Sequence, residues 1–177
     1  MSRREASDAD LHGFQPVDPW KSEDVAFTRR NLAHLEVPGA TYFVTFRCCS
    51  KIALAPEARA LVIAAIQACD RKSIELDAAV VMLDHAHAIF RLIDNYKLSR
   101  VLQRIKGRSA RQVNQALKRA GAVWMDESFD HIIRNEAELQ EKIEYIRRNP
   151  VKAGLINPQA KACATGYRWL YVRSSTA

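Results

Sequence analysis

Between residues 37 and 93 the apolar positions change rhythm several times, and each change marks an element. "VPGA" (37–40) carries turn residues, and "TYFVTFRCC" (41–49) then alternates as a half-buried strand does. "PEARALVIAAIQACDR" (56–71) switches to helical spacing, with proline in the first turn where its missing N–H costs nothing. "IELDAAVVML" (74–83) and "HAHAIFRLI" (85–93) are apolar, β-rich runs separated by Asp84, either two strands of a hairpin or one long bent strand.

Further along, Leu98, Val101, Leu102, Ile105, Val113 and Leu117 recur at helical pitch. They predict an amphipathic helix from about Leu98 to Arg119, with Gly107 inside it at a cost of about 1 kcal/mol. "AVWMDESFDHIIRN" (122–135) has no clean period and is expected to be irregular, with room for a short strand. Asn135 is a good N-cap for a last helix, Glu136 to about Arg148, with acids in its first turn. Proline disfavours the α conformation in the residue ahead of it, so Asn149, before Pro150, is expected to end that helix.

The order strand, helix, strand, strand, helix, short strand, helix has too few consecutive βαβ units for a doubly wound sheet. It predicts an α+β fold, a ferredoxin-like antiparallel sheet with helices packed on one face. Residues 1–36 are polar and aperiodic and read as an N-terminal arm, partly disordered; 37–160 form the domain proper, and 161–177 a C-terminal tail.

Composition fits a globular domain with a real core, 48% hydrophobic and 27% charged. Residues 1–20 hold no apolar run suited to a signal peptide, and no stretch approaches the ~18 apolar residues of a membrane span. Cytoplasm is therefore expected. Cys48, Cys49, Cys69 and Cys163 form no C-x-x-C pair and read as reduced thiols.

Charge changes the picture more. The net charge is +7, and residues 91–119 carry nine Lys or Arg against the single Asp94. Lys97, Arg100, Arg104, Arg108, Arg111 and Lys118 recur at intervals of three, four or seven, a stripe opposite the apolar side of the predicted helix. Such a stripe suits a polyanionic backbone, although a solvated basic face has the same pattern.

Candidate chemistry begins at His85 and His87. Two apart on a strand, both imidazoles share one face and can share one cation; two unrelated histidines are the alternative. Tyr145 and Asn149 are i and i+4 on the last helix, so a phenol and a carboxamide can approach one site together. Asn149 could complete a His-His-Asn metal set while Tyr145 points its oxygen at a bound phosphate. Attack by that oxygen on a DNA phosphodiester would give a covalent phosphotyrosine, splitting one hard step into two. No phosphate-cradling glycine loop is present, so no nucleotide cofactor is expected.

"VVMLDHAHAIF", "ESFDHIIRN" and "YIRRNPVKAGL", in this order and spacing, resemble the REP-associated tyrosine transposases, a branch of the single-tyrosine HUH transposases and nucleases of bacteria. "VPGATYFVTFR" looks like that family's opening strand and "YRWLYVRSS" like its closing segment, so the resemblance runs from about Asn31 to Ser175. It implies a ferredoxin-like fold whose central strand carries two metal-binding histidines. It assigns the nucleophile to Tyr145 and the metal ligands to His85 and His87, with Asn149 in the place of a third, polar ligand. It implies Mg²⁺ or Mn²⁺ as the cofactor, and as partner single-stranded or hairpin DNA, a repeated extragenic palindrome, cut to leave a 5′-phosphotyrosine. Monomer and homodimer both stay open.

The chain departs from the family where Pro-Asn usually precedes the first histidine and Leu83-Asp84 stands here. Asp84 is a turn residue, an acceptor that orients His85, or a further group that assists the metal. Arg134, Arg147, Arg148 and Lys152 are further candidate phosphate contacts, and Trp124 and Phe129 candidate stacking residues. The competing reading is a non-catalytic module that binds structured DNA or RNA through the same basic face.

Overall fold

The computed structural model describes residues 26–29, 33–49, 52–94, 96–156 and 167–174, with Phe14 and Pro16 besides. A two-stranded sheet, β1 (Ala26–Arg29) and β2 (Ala33–Glu36), precedes the main body. Five further strands form one antiparallel sheet: β3 (Thr41–Cys48), β4 (Ile74–Val81), β5 (His85–Leu92), β6 (Trp124–Ile132) and β7 (Leu170–Val172), in the order β6-β3-β5-β4-β7. The helices are α1 (Pro56–Gln67), α2 (Leu98–Ala116) and α3 (Glu136–Lys152). This is the expected α+β architecture.

β4 and β5 are the two strands of a hairpin, with Asp84 in the turn and Met82 N donating to His85 O at 2.8 Å. Both lie inside the sheet and are covered on both faces, which is why their sequences read as continuous apolar runs rather than alternations. Near Asp77 the β4–β5 register shifts, so Leu76 and Ala78 face opposite sides although they are two apart.

The helices do not share one face, which corrects the expectation. α1 and α2 bury Val62, Ile66, Val101 and Ile105 against Val44, Phe46, Ala88 and Phe90 on one side. α3 buries Leu139, Ile143 and Ile146 against Phe43, Val80 and Ile89 on the other. Alternation along β3 and β5 supplies apolar residues to both sides, and each helix carries one apolar stripe to match. Each fully buried Leu, Ile or Phe in these layers contributes roughly 1.5–3 kcal/mol.

Four local expectations also change. α1 ends at Gln67, not near Arg71; turns follow, and Arg71, at φ 56, lies in the stretch that leads the chain into β4. Residues 122–135 hold a full nine-residue strand, β6; as a sheet edge it keeps polar residues exposed, which hid its period. α3 runs through the buried Pro150 to Lys152, and the stop falls to Gly154 at φ 67. Residues 170–172 of the expected tail pair with β4 as the other sheet edge. The expected arm falls outside the described residues apart from β1, β2, Phe14 and Pro16, and Cys163 falls outside them too.

β2 leads to one contact that matters for α2. The buried Glu36 carboxylate accepts from Ser99 N at 2.9 Å, supplying the acid that the first turn of α2 lacks. At the start of α3, Asn135 accepts from Glu138 N at 2.9 Å, the N-cap expected from the sequence.

Candidate functional site

The register of β3 against β5 builds the site. Thr45 lies opposite His87, Phe43 opposite Ile89 and Arg47 opposite His85, so these six side chains share the sheet face that α3 covers. His85 and His87 stand together there, ring centroids 4.8 Å apart. α3 then lays Tyr145 on them: its ring meets His87 edge to face at 5.3 Å and Phe43 at 5.9 Å. The rings touch directly, without a gap between them. Phe43 stacks on His87 from the other side at 5.3 Å.

Both imidazoles are held by one nitrogen. His87 Nδ1 is 2.7 Å from Thr45 Oγ1, and His85 Nδ1 is 2.6 Å from Asp84 Oδ1. The Asp84 carboxylate is an acceptor only, so His85 Nδ1 carries the proton of that bond, and Nε2 is the nitrogen left for another partner. The hydrogen bond from His85 holds the Asp84 carboxyl below its usual range, with Arg47 adding to the effect. Burial, aided by the neighbouring His85 and Arg47, pushes His87 down to about 3, so its ring is neutral at any ordinary pH.

Those facts test the pair as a metal site. His87 is 5% exposed, and its Nε2 is buried with no hydrogen-bond partner. A buried imidazole nitrogen left bare is costly unless something occupies it, and a divalent cation is the group that neutral imidazole binds. The hydrogen bonds on Nδ1 are the usual support of a ligating histidine. Among the described residues no group of three or more His, Cys, Asp or Glu converges. The pair thus fits an ion that takes its remaining oxygens from substrate and water.

The other sequence candidates are placed as follows. Asn149 turns its side-chain amide back to the Tyr145 carbonyl at 3.4 Å. Lys152 sets its ammonium 5.4 Å from the centre of the Tyr145 ring, and Arg148 pairs with Glu144 at 2.5 Å. Arg147 is half-buried with its Nε unpartnered, and Arg134 is exposed just ahead of α3. Lys97, Arg100, Arg104, Arg108, Arg111 and Lys118 are all exposed, but α2 packs on the face opposite the imidazoles. The candidate cations therefore form two sets, one on each side of the sheet. Trp124 is buried and donates to Ser109 Oγ at 2.9 Å, which removes it as a stacking surface. His131 is tied to Glu138 at 2.6 Å.

Thr45 and Arg47 were missed in the sequence. Their signal was present: at two-residue spacing from Phe43 they form the second face of the opening strand. What was absent was the identity of the strand beside it.

Comparison with known proteins bears on the family and the fold. Residues 48–149 match the family model described as transposase, IS200-like, which spans more than half of the chain. A Haemophilus influenzae protein named provisionally as a REP-associated tyrosine transposase is 29% identical over 102 residues, 51% of this chain and 57% of that protein. The chain thus matches little more than half the length of that curated relative. The solved structure of a REP-associated tyrosine transposase bound to a REP hairpin superposes with a TM-score of 0.60 at 24% identity, covering 84% of this chain and 94% of the other. At that identity the likeness bears on the fold.

Proposed function

This chain belongs to the IS200-like transposase family, and from that premise we propose that it cuts and rejoins single-stranded DNA at the foot of a hairpin, through a covalent bond to Tyr145. The observation that carries the reading is the contact of the Tyr145 ring with His87 at 5.3 Å, which joins the phenol of α3 to the imidazole pair of β5. The hairpin substrate is supported by the REP hairpin that the solved relative holds.

In this reading Tyr145 Oη attacks the phosphorus of one phosphodiester. The new O–P bond forms as the bond to the 3′-oxygen breaks, and the phenol proton ends on that oxygen. The products are a 5′-phosphotyrosine and a free 3′-hydroxyl. Reversal by another 3′-hydroxyl rejoins DNA with no ATP, because the bond count is unchanged. A divalent ion, Mg²⁺ or Mn²⁺, held through the Nε2 atoms of His85 and His87 would polarise a phosphoryl oxygen and offset the charge that develops. Thr45 and Asp84 keep those nitrogens aimed, and Lys152 offers a cation to the phosphate beside the phenol. Asn149, one turn on from Tyr145, is a candidate further oxygen ligand once its amide releases the Tyr145 carbonyl.

The test is capture. Wild-type protein with Mg²⁺ or Mn²⁺ and a hairpin oligonucleotide carrying a single-stranded foot should give a denaturant-resistant adduct. Tyr145→Phe should bind the same DNA and give none. An adduct that survives in that variant removes Tyr145 from its role.

A further inference from the structure

The open half of the site face holds a group that neither the fold nor the chemistry above uses. α3 packs mainly over β4, β5 and β7. Past Phe43, which α3 covers, that face of β3 is more open: Thr45 is half-buried and Arg47 is exposed. Phe129 stands in this space, 53% exposed, on the edge strand β6. The same strand buries its other aromatic, Trp124, under α2. The exposure of Phe129 is thus particular to its face.

Its position is set by register. Phe129 pairs with Thr45, and Thr45 pairs with His87, so the three form one row across the sheet. Adjacent strands lie about 4.8 Å apart, which puts Phe129 roughly 10 Å from His87 in the plane of the sheet. Arg47, on the same face and opposite His85, is exposed and pairs with Asp84 at 3.8 Å. A loose surface pair of that kind is weak and can yield its cation to a phosphate. The patch therefore offers one free aromatic face and one available cation, continuous with the imidazole pair.

We propose that Phe129 is the seat of one unpaired base, stacked on its ring, in the strand that leads to the phosphate held at His85 and His87. The inference rests on the single-stranded DNA reading above. A base inside a duplex has both faces covered by its neighbours, so only an unpaired nucleotide can present a face to this ring. Stacking on an aromatic side chain is sequence-tolerant, and it contributes roughly five- to hundredfold in affinity per base. Phe129 would fix how the strand crosses the sheet, not which sequence is read.

The experiment is a double cycle between protein and DNA. A hairpin oligonucleotide is scanned with a single abasic nucleotide through its unpaired foot and bound to wild type, Phe129→Leu and Phe129→Trp. One abasic position should weaken wild type about tenfold. Phe129→Leu should lose the same factor on intact DNA and nothing more at that position, and Phe129→Trp should restore both. Mn²⁺ affinity without DNA should be alike in all three. Additive losses at every position, or an unchanged affinity in Phe129→Leu, overturn the stacking seat while leaving adduct formation at Tyr145 intact. If no oligonucleotide binds wild type, both readings fall together.

Discussion

Thr45 Oγ1 and His87 Nδ1 meet at 2.7 Å across the β3–β5 pair, while the buried Nε2 of His87 has no hydrogen-bond partner among the described residues. One hydroxyl on a neighbouring strand decides which nitrogen the site can use. Thr45→Val keeps the branched shape and removes the bond. The buried Nδ1 is then left unsatisfied, at about 1–3 kcal/mol of stability. Mn²⁺ affinity should drop roughly 10–100-fold. Urea unfolding and a Mn²⁺ titration followed by electron paramagnetic resonance measure the two effects separately.

Asp84 has the same duty toward His85, but from an exposed turn. Asp84→Ala should change stability by no more than about 0.5 kcal/mol. It should still weaken Mn²⁺ binding by roughly 10–100-fold. Asp84→Asn retains an oxygen that accepts from Nδ1–H and should lose less. Equal losses in the two variants would show that charge, not orientation, is what Asp84 supplies. Calorimetric titration with Mn²⁺ distinguishes these results.

The cations of α2 and those of α3 lie on opposite faces of the sheet, so their effects should separate. Arg104→Glu with Arg108→Glu should weaken binding of a long hairpin. It should also flatten the salt dependence by about one unit of slope for each phosphate that these arginines neutralise. Capture of a short single-stranded oligonucleotide by Tyr145 should be unaffected. Should the double variant bind hairpins normally at every salt concentration, the stripe is a solvated face.

Asp77 gives the fold a pH dependence. Burial raises its carboxyl from an ordinary 3.8 to about 6, against the pull of Arg173, whose Nε is 3.7 Å away. The folded state therefore binds this proton more tightly than the unfolded chain. The stability it contributes is fully present below pH 3.8 and is lost as pH rises through about 6. The loss is on the order of 1–3 kcal/mol. Asp77→Asn should flatten the melting temperature between about pH 4 and 7, measured by thermal unfolding at several pH values.

Gly107 lies inside α2, and a Cβ built there meets nothing within 4 Å. Gly107→Ala should raise stability by about 0.5–1 kcal/mol, read from the urea midpoint.

Helix and strand positions were legible wherever the residues alternated or kept helical pitch. β3, α1, β4, β5, α2 and α3 all appear, α1 shorter and α3 longer than their patterns put them. The two sheet edges were not legible. β6 exposes too many polar residues to show a period, and the three residues of β7 become a strand only because β4 has a free side for them. Pro150 misled because α3 takes it within its last turns, and the left-handed Gly154 ends the helix instead.

By itself the sequence determined what depends on near neighbours. His85 and His87 share a strand face because side chains alternate, and Tyr145 and Asn149 share a helix face because four residues make about one turn. Only the tertiary structure decided that α3 covers the face bearing the imidazoles, that Thr45 stands opposite His87, and that the cations of α2 lie behind the sheet. Those choices are made by register and layer packing between segments far apart in the chain. Their energies come from burying complementary faces, which no local stretch of residues specifies.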